Sequence, residues 1–273
     1  MKEVALLVFA CDRYEFIYKG FDYFFNKYWD HSIAIEKYFS TENKSLELQG
    51  YKHLKSGEGE WTNRLKRVLD QIPEKYIIFF QEDMWLSKSP LAGNLEKIIK
   101  YAVEHNLKLL KLHSSEVYKT DSSGMEFDGL ILSKLNKIES DFLMSHQVSL
   151  WDKQFLYDQL KDNEHPWRNE RKGSKRLQKT SAEIFQIDYL SENGKAAINM
   201  NNEGSKRGEY YTISVNACIN EFAIPFIEEI KPDHPEYAKA LLDHHENQIT
   251  HDGKKKPRKE DPLKKLLKKL GLK

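Results

Sequence analysis

The 273-residue sequence predicts a mixed α/β fold built on a mainly parallel sheet, and three observations carry that expectation. Apolar runs of strand length are continuous rather than alternating, as in strands covered on both faces. Between them lie stretches whose apolar residues recur at helical spacing, the pattern of βαβ units. The two clearest runs, Val4–Ala10 and Tyr76–Phe80, each lead into a polar, charged sequence. Parallel strands of such sheets bind ligands beyond their carboxyl ends, so these two places are where a site is expected.

In order, Val4–Ala10 reads as the first strand. Ile17, Phe21, Phe24 and Tyr28 give the next segment, Glu15–Trp29, a helical stripe, and Ser32–Phe39 reads as the second strand. Trp61, Leu65, Val68, Leu69 and Ile72 form an amphipathic helix face, which Pro73 ends because it has no N–H to donate. Tyr76–Phe80 is a buried strand; Leu95, Ile98, Ile99 and Ala102 mark a helix, and Leu109–Leu112 a short strand. The second half is less regular. Gln147–Trp151, Glu183–Tyr189 and Ala196–Met200 read as strands, Lys153–Leu160 as a helix, and Asp162–Gly173 as a polar loop or helix start. Turn signals lie at Asn193-Gly194 and Asn202–Gly204. No repeat is present and the halves grade into one another. One continuous domain is therefore expected over residues 1–250, with a basic linker and amphipathic tail over 251–273.

Composition excludes several classes. Hydrophobic residues make up 40% and charged ones 31%, which argues against wholesale disorder. No apolar run approaches the roughly 20 residues of a membrane-spanning helix. The N-terminus, Met1-Lys2-Glu3 before a short apolar run, has no secretory-leader pattern. Two cysteines, Cys11 and Cys218, suit a reducing interior, so a cytoplasmic location is expected. There is no Gly-rich phosphate loop, Cys-x-x-Cys or G-x-S-x-G, which removes P-loop ATPase, zinc-ribbon and α/β-hydrolase readings.

Of the residues able to carry chemistry, Glu82-Asp83 is the most informative pair, because two carboxylates directly after a buried strand can hold Mg²⁺ or Mn²⁺ through oxygen. Such a cation neutralises a leaving diphosphate. Taken alone, the pair reads rather as the acidic start of a turn. Arg64 can fork onto phosphate oxygens or merely face solvent. Trp61 reads as a core anchor. The segment Glu164–Glu170 (EHPWRNE) offers a carboxylate as general base, and Trp151 and Trp167 offer flat faces for a sugar ring. Arg168, Arg171, Lys172, Lys175 and Arg176 form a basic cluster suited to phosphate or to solvent. His244, His245 and His251 read as surface residues rather than metal ligands, since adjacent helical histidines point about 100° apart. An acidic body without a reading module argues against a nucleic-acid partner.

Several segments occur in an order that resembles GT-A-type glycosyltransferases of bacterial surface-polysaccharide assembly: Phe9–Glu15 (FACDRYE), Asn26–Asp30, Trp61–Leu65 (WTNRL), Tyr76–Leu86 (YIIFFQEDMWL), Gln147–Trp151 and Glu164–Glu170. The resemblance spans roughly residues 4–215. It implies a GT-A-like, Rossmann-like α/β/α sandwich, a nucleotide-diphosphate sugar donor and a saccharide acceptor that is lipid-linked. By position it places Asp12 and Arg13 near the donor base and ribose, Glu82 and Asp83 at the metal motif, and Glu164 or Glu170 as the base. One departure stands out. An Asp-x-Asp needs acids two apart, whereas here Gln81 precedes and Met84 follows the pair, so Arg64 or Arg176 becomes an alternative partner for the diphosphate. The competing class is a non-catalytic GT-A-like scaffold docked at a membrane; a nucleotidyltransferase fits less well, for want of the Gly-rich loop after the first strand.

The formal net charge of +1 hides a division. Residues 254–273 carry ten Lys/Arg and two acids, leaving 33 basic and 40 acidic residues in the rest, a net of −7. Asp261 suits a helix N-cap, Pro262 the first turn and Gly271 the stop. Leu263, Leu266, Leu267 and Leu270 share one face and Lys264, Lys265, Lys268 and Lys269 the other, the pattern of a short interfacial helix. Near an anionic leaflet each basic residue contributes about 1 kcal/mol. Residues 261–273 are thus expected to hold the protein peripherally on the inner membrane face. Deleting residues 254–273 is expected to release the protein from anionic vesicles in co-sedimentation; unchanged binding contradicts the expectation.

Overall fold

The computed structural model describes residues 1–195 and 206–256. The expected strand at Ala196–Met200 and the amphipathic segment 261–273 lie outside the described residues. The chain forms two compact units divided between Ile213 and Ser214.

The first unit alternates strand and helix: β1 (Val4–Phe9), α1 (Glu15–Tyr28), β2 (Glu36–Thr41), β3 (Lys52–Lys55), α2 (Trp61–Leu69), β4 (Tyr76–Phe80), β5 (Met84–Lys88), α3 (Asn94–Glu104) and β6 (Leu109–Ser114). There follow β7 (Thr120–Phe127), β8 (Leu130–Leu135), β9 (Ser149–Asp152), α4 (Lys153–Gln159), α5 (Pro166–Gln178), β10 (Ile184–Glu192) and β11 (Gly208–Thr212). One sheet runs in the order β3-β2-β1-β4-β9-β6-β10-β11-β5, with β8 on β10 and β7 on β8. Its left part is parallel: β1 pairs with β2 on one side and β4 on the other. The expected mainly parallel α/β fold is what the chain adopts. Two differences have local causes. The second strand starts at Glu36, because Asp30 accepts from the Ser32 N–H and hydroxyl and bends the chain there. The segment expected as a polar loop or helix start becomes the 13-residue α5, with Pro166 in its first turn. Between β4 and β6 lies the reversed strand β9.

Period-two alternation divides β1 between two helix layers. Ala5, Leu7 and Phe9 pack with Ile77 and Phe79 of β4 against Leu65 and Val68 of α2, Leu156 of α4 and Leu177 of α5. The opposite face is covered by α1, whose Phe21 and Phe25 meet Phe80 at ring separations of 6.4 and 5.8 Å. Trp85, fully buried, stacks on Phe24 at 5.2 Å and lies across Gly20 of α1.

The second unit, described over 214–256, holds the short antiparallel pair β12 (Ser214–Val215) and β13 (Cys218–Ile219), with helices α6 (Ile224–Ile230) and α7 (Pro235–Glu246). His251 is not a surface residue: it is buried, with Nε2 2.7 Å from Ser214 Oγ. His245 Nδ1 lies 3.3 Å from the Ile219 carbonyl. No helix among the described residues is long and apolar enough to cross a membrane.

A Cβ at Gly20 would stand 2.1 Å from the Trp85 ring, so this glycine is set by close approach. Overpacking typically costs about 1–3 kcal/mol, and each kcal/mol moves Tm by roughly 2–4 °C at this size. Gly20→Ala is expected to lower Tm by several degrees, with Trp85→Phe in the same chain recovering part of the loss. A Tm at or above the parent's contradicts this packing.

Candidate active site

From β1 the chain goes outward to β2 and β3, then returns to place β4 on the other side of β1. The connections after β1 and β4 therefore leave in opposite directions, which makes their carboxyl ends the topological switch point of an open α/β sheet, the place where such sheets bind ligands. Cys11-Asp12 follows β1 and Glu82-Asp83 follows β4.

On the β1 side, Asp12 closes a clasp. Its Oδ1 accepts the Glu42 N–H at 2.8 Å, and its Oδ2 those of Asn43 and Lys44, both at 3.0 Å. In return the Asp12 N–H donates to Glu42 Oε2 at 2.9 Å. Burial alone would raise the Asp12 pKa, but these amide bonds outweigh it and hold the carboxyl below its usual range. Arg64, 4% exposed, donates to the Ala10 carbonyl at 2.7 Å and to Ser56 Oγ at 3.1 Å, and pairs with Glu42 at 3.0 Å. Its guanidinium lies over the Phe9 ring, 5.2 Å from the centroid. Instead of standing open to a diphosphate, Arg64 braces the β1 and β2 turns. Arg13 is exposed beside them.

On the β4 side, Glu82 Oε1 accepts the Cys11 N–H at 3.4 Å, which ties the two turns together. The Trp85 indole donates to the Glu82 carbonyl at 3.2 Å, and the Ile213 N–H to the Asp83 carbonyl at 2.9 Å. Burial pushes both carboxyls upward, and the Asp83 charge pushes Glu82 further. Asp83 Oδ1 is buried without a hydrogen-bond partner. An orphaned carboxylate oxygen is the kind of donor that Mg²⁺ or Mn²⁺ would take. Among the described residues no group of three or more His, Cys, Asp or Glu is arranged around a metal.

A second cluster was not singled out from the sequence. Lys111 on β6 is fully buried, and its Nζ donates to Ser145 Oγ (2.6 Å), Tyr118 Oη (3.0 Å) and the Phe142 carbonyl (3.2 Å). Burial pulls its ammonium down to about 7, opposed by the charges of Glu170 and Glu192. His113, next on the same strand face, has Nε2 3.0 Å from Tyr118 Oη, and burial followed by the Lys111 charge holds its pKa at about 3. Glu170 on α5 accepts the His146 N–H at 2.8 Å. Burial raises the Glu170 carboxyl, while the His146 amide and Lys111 pull the other way. Glu192, at the end of β10, is raised by burial, with Lys111 again opposing. Tyr210 of β11, paired with Leu86 of β5, donates to Gln147 Oε1 at 2.9 Å, and the neighbouring His146 ring lies 4.2 Å from Trp61, which packs 5.4 Å from Phe9 at the end of β1. A sequence signal existed: Lys111 and His113 are two apart in an otherwise apolar strand and must share a face.

Other expected residues lie elsewhere. Glu164 is buried in an ion pair: Arg176 Nη2 donates to its Oε2 at 2.9 Å, and Asn169 Nδ2 to the same oxygen at 2.8 Å. Against the upward push of burial, these bonds hold Glu164 below the ordinary carboxylate range. Arg176 also donates to the Gln159 carbonyl at 2.6 Å, so both residues fasten α5 to α4 and neither faces the crevice chemistry expected of them. Trp151 is 1% exposed in the α2–α4–α5 core and cannot stack on a sugar. Trp167 is 67% exposed on the first turn of α5. The structure thus brings Asp12, Arg64, Glu82 and Asp83 to the turns at the switch point, and holds Glu170 separately on the His146 amide.

No protein-family model and no curated protein matches this chain. Among solved structures, it is similar to S. aureus TarS: 12% identity and TM-score 0.49 over residues 1–349 of that protein, covering 91% of this chain and 71% of that one. Against a longer TarS chain the TM-score is 0.46 and only 43% of that chain is spanned. A protein described as a nucleotide-diphospho-sugar transferase from Desulfovibrio desulfuricans G20 is 8% identical, with TM-score 0.46 and coverage of 88% and 99%. At such values nothing about substrate passes from those proteins to this chain.

Because Glu82 and Asp83 are raised, the folded form keeps protons that the unfolded chain has released. That contribution is full below the ordinary carboxylate range and is lost as pH rises through the raised values. Asp83→Asn is therefore expected to melt close to the parent near pH 4 and increasingly above it towards pH 8, by roughly 2–4 °C for each kcal/mol the ionised carboxyl costs the parent. A difference that does not grow with pH, followed by thermal melting in a divalent-free buffer, contradicts the assignment.

Proposed function

We propose that the chain is a glycosyltransferase that moves a sugar from a nucleotide-diphosphate donor to a saccharide acceptor. The observation that carries this reading is Glu170: a partly buried carboxylate with raised affinity for protons, fixed by the amide of His146, whose ring lies 4.2 Å from Trp61, itself 5.4 Å from Phe9 at the carboxyl end of β1. A general base works best when its pKa is brought towards the working pH, and burial does that here.

The donor would lie over the switch-point crevice with its diphosphate at the β4 turn. Asp83, with Glu82 behind it, would hold a Mg²⁺ or Mn²⁺ ion that supplies Lewis-acid charge to the leaving diphosphate. The clasp of Asp12, Glu42 and Arg64 keeps the crevice floor in shape. Glu170 takes the proton of the acceptor hydroxyl as its oxygen bonds to the anomeric carbon, and the bond from that carbon to the diphosphate oxygen breaks. Lys111 stabilises the ionised form of Glu170 until the proton arrives. Residues 1–250 would form the transferase part. The basic, leucine-striped sequence of 251–273 supports a lipid-linked acceptor and peripheral placement at the inner membrane face.

A screen of UDP-, GDP- and CMP-sugars with and without Mn²⁺ tests the reading. Glu170→Gln is expected to lower kcat by about 10²–10⁴ while donor binding is kept. The parent rate should rise with pH through the raised Glu170 pKa, since only the ionised carboxylate accepts a proton. A Glu170→Gln enzyme with parental kcat, or a protein that binds no nucleotide sugar, contradicts the proposal; the second result would favour the scaffold class.

A further inference from the structure

Helix α5 turns Glu170 inward, and its other side carries charge that no described residue answers. Arg168, Arg171 and Lys175 are exposed at spacings of three and four, hence on one side of the helix. None of the three has an ion-pair partner among the described residues, and Glu170 is the one acid in the helix. The preceding chain runs antiparallel beside α5. Lys137 donates to the carbonyls of Thr180 and Ala182, the Met144 N–H donates to Ser174 Oγ at 3.1 Å, and Met144 fills the space over Gly173. Along this edge three large apolar side chains face solvent: Ile138 (89% exposed), Trp167 (67%) and Phe142 (51%). Phe142 keeps an unusual left-handed backbone, φ 50°, with its carbonyl anchored by buried Lys111, which leaves the ring outside the core.

We infer that the exposed side of α5, with the 136–147 loop beside it, is a docking surface for an anionic phospholipid membrane, distinct from the sequence at 261–273. Arg168, Arg171 and Lys175 would meet the headgroups; Trp167, Phe142 and Ile138 would enter the boundary between headgroups and acyl chains, where amphipathic aromatic rings are favoured. Arg168, Arg171 and Lys175 outnumber the exposed acids of the loop, Glu139 and Asp141, which sets the sign of the partner, and the apolar edge separates a lipid surface from a soluble polyanion, which has no place for Ile138 or Phe142. Exposed charges of this number are screened over about a Debye length, so this surface would orient a body held by other contacts as well. The inference does not depend on the transferase reading, because it concerns the outward side of a helix whose inward side carries Glu170.

The tail sequence 254–273 contains no aromatic residue; Trp29, Trp85 and Trp151 are buried and Trp61 is half-buried against Phe9 and His146, so Trp167 is the exposed tryptophan that reports on this surface, in a way the tail cannot mimic. The full chain is mixed with phosphatidylglycerol vesicles containing brominated acyl chains, and tryptophan emission is recorded with binding measured by co-sedimentation. Quenching on binding is expected, with Trp167→Phe removing most of it. The double variant Arg171→Glu, Lys175→Glu should weaken vesicle partitioning roughly tenfold or more. Absence of vesicle binding overturns the inference, as does binding without quenching. Soluble polyphosphate that is bound through Arg171 and Lys175 while vesicles leave Trp167 unquenched overturns it in favour of a polyanion.

Discussion

The reciprocal hydrogen bonds between Asp12 and the Glu42–Lys44 turn are the constraint on which the site depends. Adjacent parallel strands at a switch point send their turns apart, and nothing in the sheet's own ladder fixes how far. Here the Asp12 carboxylate collects three backbone N–H groups and returns its own N–H to Glu42, so the turns after β1 and β2 share one hydrogen-bonded frame. Arg64 extends that frame under β1 by holding the Ala10 carbonyl, and Glu82 carries it across to β4 through the Cys11 amide. The crevice is therefore preset by bonds to backbone, which cost little to keep because the groups would otherwise be unsatisfied.

Charge is distributed around that frame in a consistent way. The groups that brace the fold are paired: Arg64 with Glu42, and Arg176 with Glu164. The groups left with unusual proton affinity, Asp83, Glu170, Glu192 and Lys111, are those without a close opposite charge of their own. Lys111 has only neutral hydrogen-bond partners, so its charge is answered at longer range by Glu170 and Glu192. Perturbed groups gathered beside a crevice are the physical signature of a site, whereas perturbed groups locked in pairs are structural.

Much of the frame is legible in the sequence. Val4–Ala10 and Tyr76–Phe80 could only be covered strands, and the abrupt polarity of Glu82-Asp83 marks where the second one opens. What could not be read depends on contacts distant in sequence. The direction of β9 does not follow from its own residues, and Trp151 becomes core only because that strand pairs it with Ile77 and Leu109. Glu164 and Glu170 look equivalent as a sequence; Arg176 pairs with one, and the other accepts the His146 N–H. A lysine in the β6 sequence reads as an interruption until Tyr118 and Ser145 arrive from later segments to satisfy it. Arg64 drew notice as a phosphate partner for the same reason: its type is right, and only the fold shows its donors already in use.

The central claim is that the switch-point crevice between the β1 and β4 turns receives a nucleotide diphosphate next to Glu170. A crystal structure with a nucleoside diphosphate and Mn²⁺ tests it most directly. The account predicts the diphosphate over the β4 turn, with Asp83 among the groups holding the ion and an open approach from Glu170 to the leaving side. A nucleotide bound elsewhere, or an Asp83 carboxylate turned into the protein with the diphosphate in place, would contradict it.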